Sequence, residues 1–143
     1  MSAVFDRIRR TFWLVIVVTF TLCAPAHAQG AVSVLDGVYT MEQVLRGQLL
    51  VAEICSNCHG GNLEGIDIAP ALASKSWWRS VTLSGLFRFL QEFMPANDPG
   101  RLTHQQYIDA IAYLLWFTGY PPGNEELPPD VNQLDSIRVE LLP

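Results

Sequence analysis

Apolar residues recur at helical spacing in three stretches of the chain, and polar or turn-forming residues separate these stretches. The first stretch follows Thr40-Met41-Glu42-Gln43, a Thr-x-x-Gln capping box that predicts the start of a helix. Gly47 lies inside this helix, where it costs about 1 kcal/mol relative to Ala and is tolerated if another helix crosses very closely. The apolar positions on or near one face of the predicted helix are Val44, Leu50, Val51 and Ile54.

The other two stretches predict two further helices. One should end before Pro95, because proline disfavours helix in the residue that precedes it. The other follows a second capping box, Thr103-His104-Gln105-Gln106, and should run from His104 to Thr118 with Gly119 as its stop. The helix before Pro95 has its apolar positions at Leu83, Leu86, Phe87, Leu90 and Phe93.

Residues 1–28 have the pattern of a secretory signal, with three arginines, an apolar core over 12–22 and Ala26-His27-Ala28 before a cleavage point at Gln29. The apolar run is shorter than the roughly 20 residues that a membrane-spanning helix needs, although an uncleaved anchor stays open. We therefore expect an exported, periplasmic protein, anchored to the membrane if this segment is retained. The remaining chain divides into a lead-in segment (29–36), a main domain (37–127) and an acidic, proline-rich tail (128–143). We expect the tail to be extended, to wrap the domain and to have a mobile end.

Residues 29–143 contain six basic and 13 acidic side chains, a net charge of −7 against −5 for the whole chain. Such a surface does not suit nucleic acid or an anionic membrane as a partner. The sequence contains no glycine-rich phosphate loop, no basic patch and no internal repeat.

Cys55-Ser56-Asn57-Cys58-His59 is the attachment signature of a c-type haem. Each thiol can add across one vinyl group of the porphyrin, and the short spacing lets both reach the same edge. Two other interpretations of the cysteine pair are a redox dithiol and half of a zinc site. A redox dithiol is typical of a βαβ context, which is missing here, and zinc would need two further ligands when His104 is the only other histidine after residue 28.

With this motif, the chain resembles the class I c-type cytochromes over about residues 37–127. The resemblance implies an all-α fold with three principal helices around one covalently bound haem c, with His59 as the proximal iron ligand. It also implies that the first and last helices cross at Gly47, eight positions before Cys55, with Ala110 and Tyr113 as the partners. The family often has an aromatic residue at the position of Val51, so the smaller valine should make a less extensive contact between the two helices here.

Three more residues gain roles from the resemblance. Ala69-Pro70-Ala71-Leu72 resembles the Pro-x-Leu element in which the proline carbonyl accepts the Nδ1 proton of the proximal histidine and the leucine packs on the haem face. An ordinary turn proline is the alternative. Met94, 35 residues after His59 and directly before Pro95, takes the place of the distal thioether ligand. Core filling is the alternative for Met94, and His104 is a competing ligand that we expect at the surface. Of Trp77 and Trp78, we expect one to line the haem crevice and the other to lie nearer solvent.

The function implied is one-electron transfer by a His/Met-ligated haem. Motifs including Gly-Val-Tyr-Thr (37–40) and Tyr-Ile-Asp-Ala-Ile-Ala-Tyr-Leu-Leu (107–115) look like those of periplasmic cytochromes that accompany, or are fused to, quinoprotein dehydrogenases. The expected partners are a donor dehydrogenase and an acceptor oxidase or cytochrome, and the chain itself is expected to be a carrier and no enzyme. Two alternatives are a haem-based sensor or haem enzyme with a labile sixth ligand, and a tightly bound cytochrome subunit of a dehydrogenase complex.

Overall fold

A computed structural model describes residues 32–143 of the protein. The two predicted capping boxes, with Thr40 and Thr103 as N-cap residues, are both formed. The proposed signal segment, 1–28, lies outside the described residues. The helices are α1 (Met41–Leu50), α2 (Ser56–His59), α3 (Leu83–Phe93), α4 (His104–Phe117) and α5 (Val131–Asp135). Two 3₁₀-helices, Val34–Asp36 and Lys75–Ser80, add to them, and residues 32–143 contain isolated β-bridges but no strand. The all-α prediction is confirmed.

Helices α1 and α4 make the central packing contact. A Cβ atom on Gly47 would overlap the carbonyl oxygen of Asp109 and stand 2.9 Å from Cβ of Tyr113. The predicted crossing and its contact with Tyr113 are thus confirmed, while Asp109 takes the place expected for Ala110. Arg46, next to Gly47, donates to both carboxylate oxygens of the buried Asp109 at 2.8 and 3.0 Å, which fixes the register of the two helices.

Helix α3 begins at the N-cap Thr82, whose hydroxyl accepts the Gly85 amide hydrogen at 3.0 Å, and it ends at Phe93, as predicted. Its inner face buries Leu83, Leu86 and Phe87, while Phe93 stays about half exposed. The face packs against α4 and α5. Within residues 32–143, no helix has the length and apolarity needed to cross a membrane.

The C-terminal tail wraps the domain, but it is not extended throughout. Asp130 caps α5 by accepting the amide hydrogens of Asn132 and Gln133, and Leu134 of that helix is fully buried. Leu127, directly before the tail, is fully buried as well, and the Gln43 side chain bonds both its amide and its carbonyl group, at 2.7 and 3.0 Å. The tail belongs to the same compact unit as the rest of residues 32–143.

The lead-in segment is also folded against the tail. Ser33 caps the 3₁₀-helix Val34–Asp36 and forms a parallel bridge with Arg138. The Val34 amide donates to the Arg138 carbonyl at 3.0 Å, and the Arg138 amide donates to the Val32 carbonyl at 2.8 Å. Val34 is fully buried and belongs to the hydrophobic core, so this segment is part of the folded domain.

Candidate haem site

The Cys55–His59 motif lies on a continuous helical path. After α1 the chain widens into a π-helical turn, Val51–Cys55, in which the Ser56 amide bonds the Val51 carbonyl, and then tightens into α2. The two residues between the cysteines fix this path, because Ser56 Oγ donates to the Ala52 carbonyl at 2.5 Å and Asn57 Nδ2 to the Glu53 carbonyl at 2.9 Å. Both side chains are thus hydrogen-bonded to the backbone, and the two cysteines and the histidine remain available to bind a cofactor.

The two thiols are free and form no disulfide with each other. Burial, together with the nearby Cys58, raises the pKa of Cys55 to about 11. Reactive dithiols have the opposite property, a lowered pKa that maintains a thiolate. Within residues 32–143, no group of three or more His, Cys, Asp or Glu side chains is arranged to hold a metal ion.

His59 is buried and oriented by a single contact. Its Nδ1 lies 2.7 Å from the carbonyl oxygen of Pro70, which is the contact that the resemblance predicts. Since a carbonyl oxygen only accepts, Nδ1 carries the proton in the neutral ring, and Nε2 is left with a free lone pair. A histidine held in this way is ready to bind a metal through Nε2.

The loop that brings Pro70 to His59 depends on backbone contacts that the sequence did not reveal. The His59 carbonyl accepts the Gly65 amide at 2.8 Å, and Gly65 has a φ of +82°. A Cβ there would stand 2.9 Å from the Pro70 carbonyl carbon, so only glycine fits. The buried Leu63 has a φ of 58° and accepts the amides of Leu72 and Ala73 at 2.8 and 3.0 Å. A leucine in the left-handed region costs about 1 kcal/mol, which these bonds and its burial offset.

Met94 lies on a separate element, as the C-cap residue of α3, and its place at the iron stays a prediction. Its carbonyl oxygen accepts the Tyr107 hydroxyl at 2.8 Å, so α4 holds the position of the Met94 backbone. No described hydrogen bond joins Met94 to His59 or to the cysteines. His104 is exposed at the start of α4 with its ring edge-on to Phe87 at 5.5 Å, in line with the expected surface position.

The two tryptophans stack on each other with ring centroids 4.3 Å apart. Trp78 is fully buried and donates from Nε1 to Thr118 Oγ1 at 3.0 Å. Trp77 is half-buried, and its Nε1 is the buried side-chain polar atom that lacks a partner among the described residues. Trp77 is thus the tryptophan nearer solvent, while Trp78 packs into the core against Tyr120; that one of the two lines the haem crevice stays a prediction.

These residues fit a covalently attached haem. The donor set offers two free thiols three positions apart, and a buried imidazole with an open Nε2 follows them directly. Trp77 adds an unpartnered buried donor, for which a haem propionate would supply an acceptor. The geometry defines the site of a class I c-type cytochrome.

Comparison with protein-family models supports this class of protein and identifies one family within it. The family model described as "Cytochrome C oxidase, cbb3-type, subunit III" matches residues 42–114, which is just over half of the chain. The chain belongs to this cytochrome c family, and haem c with a role in electron transfer follows from that membership.

No curated protein matches the chain. A solved structure, the sulfane dehydrogenase SoxCD from Paracoccus pantotrophus, matches with 22% sequence identity and a TM-score of 0.46 over 69% of this chain. The chain spans 57% of the length of the matching SoxCD chain.

Proposed function

We propose that the protein is a one-electron carrier that binds one haem c through thioethers at Cys55 and Cys58, with His59 and Met94 as axial ligands of the iron. The observation that carries the proposal is the His59–Pro70 contact, because it orients an open imidazole Nε2 beside two free thiols. Leu72 lies half-buried at the end of the Pro70 loop, where it would pack on the haem face.

The protein contributes position, basicity and exclusion of water. The Pro70 carbonyl fixes the His59 tautomer and raises the basicity of Nε2. The Tyr107 hydroxyl donates to the Met94 carbonyl and holds the Met94 backbone in place. If the thioether were displaced from the iron, it would therefore rebind at the same position. When bound, the haem would supply the one-electron couple, and with both His59 and Met94 as ligands the iron would have no open site for substrate or oxygen.

We further propose that the protein works in the periplasm, between a quinoprotein-like dehydrogenase and the respiratory chain. The sequence pattern of residues 1–28 and the subfamily motifs support this proposal. Docking would use small and apolar residues around the site, namely Ala69, Ala71, Pro95 and Ala96. Pro95 is half-buried and Ala96 exposed in the turn after α3, where a partner could contact them.

Acid-acetone extraction of the haem-loaded, full-length protein tests the attachment. Because a thioether is stable to acid, the colour should stay with the polypeptide. In a Cys55→Ala/Cys58→Ala double variant that still takes up haem, the colour should enter the acetone. Intact haem extracted from the unmodified protein would overturn the proposal.

Replacing Met94 by Ala tests the distal ligand. The variant should lose the far-red thioether-to-iron charge-transfer band of the oxidised protein, bind carbon monoxide when reduced, and have a lower redox potential. Met41→Ala is the matched control, since Met41 is partly exposed in the first turn of α1. An unchanged spectrum in Met94→Ala would mean that Met94 is not the sixth ligand of the iron. It would favour the alternative function, a haem-based sensor or haem enzyme.

A further inference from the structure

A cavity of about 300 Å³ lies between the 3₁₀-helix Lys75–Ser80, the end of α4 and the C-terminal tail. Its described lining combines two cationic side chains, two residues with hydroxyl groups and two leucines, and contains no acidic side chain. The residues are Lys75, Ser76, Arg79, Tyr120, Leu141 and Leu142. None of them belongs to the candidate haem site.

The two cations have no partner in the described part of the chain. The ion pairs there use Arg46, Arg88 and Arg138, and neither Lys75 nor Arg79 lies within ion-pair distance of a carboxylate. This is notable in a domain with 13 acidic and six basic side chains. Both side chains are exposed to solvent and line the same cavity, so an anion bound there would meet two positive charges.

The contacts of its neighbours place Lys75 beside the turn that ends α4. Residues three apart share a side of a 3₁₀-helix, so Lys75 is on the same side as Trp78. Trp78 packs edge-on against Tyr120 with ring centroids 5.7 Å apart, and Trp77 stacks on Trp78. Lys75 Nζ lies 3.5 Å from the place of a Cβ on Gly119, which puts the ammonium group over the turn that ends α4.

Two residues that carry hydroxyl groups, Tyr120 and Ser76, also line the cavity. The Tyr120 hydroxyl makes no hydrogen bond to a described residue, although the Tyr120 carbonyl accepts one from the Tyr39 hydroxyl. Burial raises the pKa of Tyr120, so its hydroxyl remains a donor at neutral pH. Ser76 Oγ lies 2.7 Å from Ser74 Oγ and has capacity for a further bond.

We propose that this cavity binds a small organic anion, whose oxyanion group lies between Lys75 and Arg79 and whose apolar body contacts Leu141 and Leu142. A guanidinium and an ammonium give charge-assisted hydrogen bonds to a carboxylate or phosphate. The volume matches the lower end of the range for small-molecule sites. The competing explanation is structural: Lys75 would only complement the negative end of the α4 dipole, and an added anion would then bind no better than elsewhere.

Lys75 is the only lysine in the chain, which gives a direct probe of the cavity. Reductive methylation of the haem-loaded, full-length protein with ¹³C-formaldehyde labels this amine and keeps its charge. Comparison with a Lys75→Gln variant separates its NMR signal from that of the N-terminal amine. Titration of the reduced protein with benzoate should shift the Lys75 signal saturably, and benzyl alcohol, the neutral counterpart, should leave it in place.

Two arginine variants separate this site from general attraction of anions. Arg79→Gln should weaken benzoate binding at least about tenfold, through loss of one charge-assisted contact. Arg101→Gln removes an exposed arginine that does not line the cavity and should leave the affinity within about twofold. A shift that does not saturate, an equal response to benzyl alcohol, or equal weakening in both variants would overturn the proposal. If Arg79→Gln does not fold, the titrations of the unmodified protein decide alone.

Discussion

Trp77 has a buried indole Nε1 without a partner among the described residues, whereas its neighbour Trp78 is bonded to Thr118. A buried hydrogen-bond donor without an acceptor costs about 1–3 kcal/mol of folding free energy, so an acceptor for the Trp77 indole would stabilise the protein. The fit of the site to haem suggests a propionate in that role. At this scale, the sequence indicated the thiols, His59 and Pro70 through a motif and a resemblance, because their spacing is local.

Trp77→Phe tests the role of the indole. The variant keeps an aromatic ring but loses the donor, so the haem-loaded protein should lose about 1–2 kcal/mol of unfolding free energy. Chemical denaturation followed by the Soret absorption measures the loss. Trp116→Phe is the control, since Trp116 is exposed near the end of α4, and it should change stability by less than about 0.5 kcal/mol. A more stable Trp77→Phe protein would mean that the indole stays unpartnered when haem is bound.

Between elements, two contacts fix the arrangement, namely the α1–α4 crossing at Gly47 and the Gln43 contact with Leu127. The crossing could be predicted, because a glycine inside a capped amphipathic helix is costly without such a reason. The Gln43 contact could not, since it joins residues 84 positions apart and Gln43 also serves the local capping box. Helix α5 was missed for another reason: the density of prolines indicated an extended tail, although Asp130 is a good N-cap residue.

Gly47→Leu should force α1 and α4 apart, because even a Cβ overlaps the Asp109 carbonyl oxygen. We expect a loss of about 3 kcal/mol from overpacking and lost contacts. The covalent haem would remain, so the melting temperature should fall while the absorption spectrum is largely kept. Gly61→Leu is the matched control, since a Cβ on Gly61 has nothing within 4 Å. Equal melting temperatures for the two variants would show that the helices do not meet at Gly47.

Gln43→Leu should release the tail from α1. The fully buried Gln43 side chain satisfies the amide and the carbonyl of the fully buried Leu127, and an apolar replacement leaves both groups unpaired. We expect a loss of about 3 kcal/mol and faster proteolysis within residues 121–143. Gln48→Leu makes the same exchange at an exposed position of α1 and should have little effect. A tail that stays protected in Gln43→Leu would contradict this role.

The whole molecule carries an excess of negative charge, with six basic and 13 acidic side chains in residues 29–143. Charge of this kind steers partners over distances up to about the Debye length, roughly 10 Å at 0.1 M salt. The sequence alone gives this property, because it depends on composition. The uneven distribution, with Lys75 and Arg79 together at one cavity, required the structure.

Small redox reagents test the steering without a protein partner. Oxidation of the reduced protein by anionic ferricyanide should become faster as ionic strength rises, and oxidation by cationic tris(phenanthroline)cobalt(III) should become slower. The redox potential should barely change over the same series. Stopped-flow traces at matched driving force measure both rates. Parallel salt responses for the two reagents would show that net charge does not control the encounter.

The parallel bridge between Ser33 and Arg138 has a mechanical consequence. Two segments that run side by side in the same direction are loaded in shear when the chain is pulled from its two ends. The bonds from the Val34 amide to the Arg138 carbonyl and from the Arg138 amide to the Val32 carbonyl would then share the force, and neither could open before the other. A domain tethered through both ends would thus resist tension at the edge where its chain enters and leaves, and its interior helices would be shielded from that force.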